Sequence, residues 1–292
     1  MSNKPASLRT FCTPFTSPRA VLRVLEPPDE DRRTLFQRLL AGTYQKPFLI
    51  EDGAERTLEF SLVGGSQSAM RCADPDELIV AYTREMMAFL LLRPDPQHVV
   101  IAGLGGGSLV KYCYRYLPET CITAIEINPW VISLRDEFLI PPNDERLAVV
   151  CADARHYFAN PASPADAVLI DLYDHGGAVP FLQDRAFLTD VKSHLTALGT
   201  VILNVVGTDA WCEDCTNAVR AVFGDPVLCV QVEADGNLVL LAFNGAFSES
   251  TLETIHSRSE QIKQRFRLEF PAFLQELSDF GKQRNAPACT VT

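Results

Sequence analysis

No apolar run in this 292-residue chain is long enough to span a bilayer, which argues against a membrane-spanning helix. Basic residues are in deficit: 26 Lys and Arg stand against 37 Asp and Glu, a net charge of −11. A chain of that sign repels a phosphate backbone, so nucleic acid is not expected as a partner, whereas a cationic small molecule is compatible. The first residues, MSNKPASLRTF, lack the apolar core of a secretory signal. Nine cysteines, an odd count scattered through apparent strands and helices, do not form a disulfide framework and point to reduced thiols in a cytoplasmic setting. There is no internal repeat and no low-complexity tract. What remains is an ordinary globular composition, 47% hydrophobic, with enough length for one large domain or one with an appendage.

The chain is organised around residues 97–126, QHVVIAGLGGGSLVKYCYRYLPETCITAIE. Residues 98–102 form an apolar run that reads as a buried parallel strand. Gly103, Gly105, Gly106 and Gly107 then turn the chain, and Ser108 is placed to cap a helix that carries Leu109, Val110 and Tyr112. A second apolar strand, 121–125, ends in Glu126. Strand, glycine turn, helix, strand and acid is the order in which a nucleoside is held: glycines let the backbone approach the ligand, and the acid accepts both ribose hydroxyls. The alternative is that the glycines only permit close helix–strand packing and Glu126 is a solvated strand end.

On either side, the pattern predicts two further units. Residues 1–20 carry prolines without periodicity and read as a loose arm. Residues 29–40 read as a short helix with acids at its start. Three strand-like runs follow (47–50, 57–63 and 67–70), with Asp52-Gly53 and Gly64-Gly65 as hairpin signals, so a small antiparallel sheet is expected. A helix is expected from Asp74 to about Leu92, with Leu78, Tyr82, Met86 and Phe89 on one face. After Glu126 the alternation continues. Helices are expected over 129–138, 184–195 and 210–223, with Tyr157 and Phe158 on a short helical segment, and strands over 147–151, 166–170 and 199–205. The runs 226–233 and 238–243, split by Asp235-Gly236-Asn237, read as an antiparallel hairpin closing the sheet. Residues 249–280 are mostly helical with a break near Pro271.

The fold expected is therefore α/β: a doubly wound, Rossmann-like methyltransferase sheet with an antiparallel C-terminal hairpin, preceded by a small N-terminal β-sheet domain. Its divisions fall at 1–78, 79–248 and 249–292. Ligands of such sheets sit beyond the carboxyl ends of the strands, where this chain carries Gly103, Glu126, Asp153 and Asp171. A nicotinamide dehydrogenase would use the glycines and Glu126, but has no evident need of Asp153 and Asp171. A sulfonium nucleoside uses all of them: ribose on Glu126, adenine on Asp153, and the cationic end towards Asp171 and Asp174.

In these residues the chain resembles the polyamine aminopropyltransferases, the spermidine synthase-like family built on the S-adenosylmethionine methyltransferase fold. The resemblance covers roughly residues 45–245 and rests on the small N-terminal sheet, Gln67 in SQSAM, the acid-rich stretch Asp76 to Met86, GLGGGS, EINPWVI, and CADAR with DLYD. It implies an enzyme that moves an aminopropyl group from decarboxylated S-adenosylmethionine to an amine such as putrescine, releasing methylthioadenosine, with no metal. Gly103, Gly105, Gly107, Glu126, Asp153 and Ala154 would bind the nucleoside, Gln67 its tail, and Asp171 would take the proton from the attacking amine. Asp174, Tyr82 and Tyr173 would hold that amine. It also implies a homodimer formed through the N-terminal sheet.

Two departures touch the substrate end. The family's glycine loop usually reads GGGDGG, its Asp binding the aminopropyl ammonium; here Gly105 or Gly106 stands in its place. The loop after the catalytic acid usually reads DSSDP, and here it is DLYDHGG. Without the first acid, intact S-adenosylmethionine becomes a plausible ligand, and two alternatives stay open: a methyltransferase on the same scaffold, and a nucleoside-binding protein without turnover. His175 reads as a solvated loop residue more than a proton shuttle. Cys212 and Cys215 form a lone C-x2-C without a matching second pair, which argues against a metal or redox role. Met86 is read as part core and part pocket wall, and Trp130 either covers the nucleoside or packs at a helix start.

Overall fold

In the computed structural model, residues 7–12, 20–62, 65–160, 162–174, 177–245 and 248–285 are described, with the side chains of Asp174, Ala178, Glu249 and 283–285 outside that description. Five strands, β1 (Ser7–Cys12), β2 (Val21–Glu26), β3 (Phe48–Asp52), β4 (Glu55–Glu59) and β5 (Ser68–Arg71), pair in chain order as an antiparallel sheet. One face of it buries Leu22, Val24 and Phe48 beneath α1 (Arg32–Leu40), whose first turn is capped by Asp31 accepting from the Thr34 amide. The other face contributes Leu49, Leu58 and Met70 to the main core. A sheet apolar on both faces needs two covers, and here α1 is one and the larger domain is the other.

Two of these strands depart from the expectation of a loose arm over 1–20 followed by only three strands. The segments SLRTFC and VLRVLE pair with each other in full register, Ser7 opposite Glu26 through Cys12 opposite Val21. The expected helix over 74–92 is also shorter. Residues 74–80 are turns and extended backbone, α2 covers only Ala81–Glu85, and a 3-10 helix (Met86–Leu91) continues it. All six residues of that 3-10 stretch, MMAFLL, are buried, so core burial overrides helical periodicity there.

The larger sheet comprises β6 (His98–Ala102), β7 (Cys121–Glu126), β8 (Leu147–Cys151), β9 (Ala165–Ile170), β12 (Leu195–Val205), β13 (Leu228–Val232) and β14 (Asn237–Phe243). Between β9 and β12 the chain also makes a two-residue ribbon, β10 (Tyr173–Asp174) with β11 (Gly177–Ala178). The strand order is β13-β14-β12-β9-β6-β7-β8, parallel from β12 through β8, with β14 inserted antiparallel between β12 and β13. This is a doubly wound sheet with an antiparallel C-terminal hairpin. Its central strands are buried on both faces: Val99, Ile101, Ala167 and Leu169 join the core under α2, α3 (Ser108–Tyr116), α8 (Glu249–Phe266) and α9 (Pro271–Asn285). Their alternates Val100, Ala102, Val168 and Ile170 pack under α5 (Ala154–Phe158), α6 (Arg185–Ser193) and α7 (Asp209–Phe223). Trimming Leu169 to alanine in such a core costs about 2–5 kcal/mol.

Three boundaries differ from the expectation for local reasons. Gly107, in the left-handed region at φ 69°, occupies the N-cap of α3, so Ser108 is the first helical residue and not the cap. The helix expected over 129–138 stops early as α4 (Pro129–Ser133), and irregular turns carry the chain to Ile140. β12 begins at Leu195 and not Gly199, with a register irregularity between Leu195 and Thr200.

Candidate active site

A cavity of about 290 Å³ opens beyond the carboxyl ends of β6, β7, β8 and β9. Gln67, Gly103, Gly105, Glu126, Asp153, Ala154, Asp171 and Tyr173 line it together, with Leu58, Phe60 and Ser68 of the N-terminal sheet region forming the facing wall. Gly107 does not line it; it lies buried against Ile140. Tyr82 lies in an adjoining cleft with Gly103 and Ser108, and reaches the same acid from the other side. The Asp174 side chain and His175 lie outside the described residues. Among the described residues, no group of three or more His, Cys, Asp or Glu side chains converges as a metal site.

The glycine loop has the shape that close approach requires. Gly103, at φ 100°, packs so tightly on β9 that any side chain would collide with the Asp171 carbonyl. Glu126 turns back across the loop. Its Oε2 accepts from the Leu104 amide at 3.1 Å and its Oε1 from the Asn128 amide at 2.8 Å. Burial pushes the Glu126 carboxyl above its ordinary range, and the amides of Asn128, Leu104, Gly105 and Ile127 pull it back. A carboxylate fixed by backbone donors beside a side-chain-free loop fits a vicinal diol.

Asp153 caps α5, its Oδ1 accepting from the Arg155 amide at 2.8 Å. The Arg155 guanidinium also grips it, Nη2 to Oδ2 at 2.7 Å, and that pairing holds the Asp153 carboxyl below its ordinary range. Arg155 lies 5.0 Å over the Phe181 ring, and both line the cavity beside Ile127, Leu172 and Val179. These apolar side chains, with a cation on an aromatic ring beside them, suit a flat heterocycle. Sequence reasoning singled out neither Arg155 nor Phe181. The signal for Arg155 was its place in CADAR, two residues after a strand-end acid.

Asp171 is the first residue after β9. The Tyr82 hydroxyl donates to its Oδ2 at 3.0 Å and Asn204 Nδ2 to its Oδ1 at 2.8 Å. Burial pushes the Asp171 carboxyl up, and the Asn204 and Tyr82 bonds draw it partly back down. Burial together with the Asp171 charge raises the Tyr82 phenol well above its usual range, so it remains a donor. Tyr173 donates from its hydroxyl to the Asn204 carbonyl at 3.2 Å, and Asp235 Oδ2 accepts from the Tyr82 amide at 2.8 Å. Cys212 and Cys215 both have thiols raised by burial, Cys215 to about 11, which leaves them poor nucleophiles and metal ligands at neutral pH.

An acid at either of the next two loop glycines would have to displace a neighbour. Gly105 sits at φ 50°, where an added Cβ would lie 2.5 Å from Ser68 Oγ. Gly106 is buried, donates its amide to Ser68 Oγ at 2.9 Å, and would meet the Phe138 ring at 2.9 Å.

No family model matches the chain. A polyamine aminopropyltransferase of Chromobacterium violaceum is 32% identical to it over 74% of this chain and 84% of that protein. Among solved structures, human methyltransferase-like protein 13 in complex with SAH is similar at 26% identity, covering 65% of this chain and 94% of that one with a TM-score of 0.56. A spermidine synthase in complex with the transition-state analogue AdoDATO has the same fold over 96% of this chain and 87% of its own, at 14% identity and a TM-score of 0.61.

Proposed function

The chain belongs to the polyamine aminopropyltransferase family, and from that premise we propose that it is a transferase moving an aminopropyl group from decarboxylated S-adenosylmethionine to a small amine acceptor of the putrescine class. The observation that carries this reading is Asp171: a carboxylate held between Tyr82 and Asn204 that lines one cavity with Glu126. Glu126 takes the ribose, the Arg155–Phe181 end takes the adenine beside Asp153 and Ala154, and Gln67 faces the tail. Tyr82, Tyr173 and Asp174 receive the amine.

The bound sulfonium supplies a methylene carbon activated for displacement. An alkylammonium has no lone pair, so Asp171 must first accept its proton, and burial, by raising that carboxyl, makes it the better proton acceptor. The freed nitrogen attacks the methylene, the carbon–sulfur bond breaks with its electron pair going to sulfur, and the neutral thioether methylthioadenosine departs. Glu126 and Asp171 lie at strand ends on one edge of the sheet, and holding the two reactants in line there contributes much of the rate. We take the enzyme to be a cytoplasmic homodimer with no metal requirement.

A second reading is favoured by one observation. The glycine loop has no acid to receive an aminopropyl ammonium, and Phe138 and Ser68 fill the space where one would stand. An intact S-adenosylmethionine carboxylate therefore meets no repulsion from that loop, and methyl transfer on the same scaffold is the alternative. Calorimetric titration with decarboxylated S-adenosylmethionine, S-adenosylmethionine and methylthioadenosine, followed by mass analysis of products with putrescine, separates the two. Methylthioadenosine as the thioether product supports aminopropyl transfer; S-adenosylhomocysteine in its place overturns it.

A further inference from the structure

Behind Asp171 runs a chain of side-chain amides that the transfer chemistry itself does not require. Asn204, on β12, donates from Nδ2 to Asp171 Oδ1 at 2.8 Å. Its own Oδ1 accepts from Asn237 Nδ2, on β14, at 2.7 Å. Asn204 and Asn237 are exposed by only 1% and 6%, so bulk solvent does not compete for either partner. The directions are coupled. A carboxylate accepts only, so Asn204 must present its NH2 to Asp171 and its oxygen to β14, and Asn237 must then present its NH2. Gln231 Nε2 donates to the Asn237 carbonyl at 3.1 Å and anchors that backbone within the hairpin.

We propose that Asn237 is a positioning residue: by donating to Asn204 it locks the Asn204 amide with its NH2 towards Asp171, and so favours the ionised carboxylate that accepts the amine's proton. This rests on the reading of Asp171 as the base. An Asn204 amide free to turn over would offer its oxygen to Asp171, an arrangement that only a protonated carboxyl can satisfy. Among the described residues, the titratable groups facing Asp171 are Tyr82 of α2 and Tyr173 of β10, with Asp235 of the β13–β14 turn behind Tyr82 and Cys212 and Cys215 of α7 behind Tyr173. The Asn237 side chain bonds to Asn204, which in turn bonds to Asp171, so a substitution at 237 reaches the acid through Asn204.

The test is carbon-13 NMR titration of the Asp171 carboxyl in the full chain, assigned by Asp171→Asn. Asn237→Leu, uncharged and of similar size, is expected to raise the Asp171 titration midpoint by about one pH unit. The acidic limb of the kcat profile should move with it, recovering at higher pH while KM stays unchanged. Asn237→Leu added to Asn204→Leu should move nothing further, because the amide it acts through is gone. Should Asn237→Leu fail to fold, Asn237→Ala carries the same expectations. An unchanged midpoint in the single variant, or an equal shift in the Asn204→Leu background, overturns the proposal. Wild-type protein without aminopropyl transfer would sink the functional reading alone, since the titration of Asp171 is read without turnover.

Discussion

Lys111 Nζ donates to the Phe138 carbonyl at 2.9 Å, tying the helix that leaves the glycine loop to the segment whose aromatic ring packs on Gly106. The lysine is 1% exposed, and burial lowers its ammonium to about 8, only partly offset by Asp76. Arg56, which donates to the Glu137 carbonyl next door, adds to that lowering.

A lysine whose folded pKa lies below its unfolded one destabilises the fold wherever both forms are protonated. Its contribution is present above the unfolded value near 10.5 and is lost as pH falls through about 8. Stability attributable to Lys111 should thus rise between about pH 8 and 10.5, by a few kcal/mol at most. Denaturant melts of wild type and Lys111→Met across that range check it: wild type should gain stability relative to the variant as pH rises. A constant difference would mean that Lys111 keeps an ordinary ammonium in the fold.

Glu126→Gln should weaken every adenosine ligand, since a neutral amide accepts ribose hydroxyls less well than a carboxylate. The loss expected is about 1.5–3 kcal/mol, read by calorimetry with methylthioadenosine. Because Glu126 also accepts from the Leu104 and Asn128 amides, the variant places an NH2 against at least one backbone donor, so a lowered melting temperature should accompany the weaker binding. Affinity equal to wild type would remove Glu126 from the nucleoside.

Asp171→Asn should leave nucleoside affinity nearly intact while turnover falls by roughly 10²–10⁴. In the wild type turnover should rise with pH through the ionisation of Asp171, whose carboxyl burial has pushed up. Tyr82→Phe removes one of the two bonds that draw it down, so the acidic limb should shift further towards alkaline pH. Wild-type turnover in Asp171→Asn at saturating acceptor would make the residue structural.

Discrimination between decarboxylated and intact S-adenosylmethionine should be weak in the wild type, within about tenfold, because a carboxylate at ~4 Å would otherwise contribute up to about 4 kcal/mol at an effective dielectric near 20. Gly105→Asp should shift preference towards the decarboxylated cation, but against strain from the positive φ and the Ser68 contact. Gly105→Ala measures that strain alone. A wild type that already prefers the decarboxylated form by a large factor would assign discrimination elsewhere and remove the main support for methyl transfer.

Much of the sheet was legible because its central strands are unbroken apolar runs between turn residues, and β6, β8 and β9 fall within about a residue of where those runs suggested. β1 and β2 were not legible. SLRTFC and VLRVLE alternate weakly and flank a proline-bearing stretch, and their strand character comes from pairing with each other and with β3. The strand-end glycine and acids of the cavity could be read from position alone, since parallel strands bring their carboxyl ends to one edge. Asn204 and Asn237 could not. One read as a polar residue near a strand end and the other as a turn residue; their contact depends on β14 folding back between β12 and β13, a crossing that local pattern does not encode.

The insertion of β14 between β12 and β13 also divides the cavity's residues by where they stand in the chain. The glycine loop, Glu126 and Asp153 come from one contiguous stretch, Gly103 to Arg155. Asp171 instead draws its neighbours from Tyr82, Asn204 and, through Asn204, Asn237, so its surroundings are complete only with β14 beside β12. A chain ending at Phe223 would thus keep Glu126, Asp153 and Asp171 itself, yet lack the strand whose Asn237 braces the amide beside that acid.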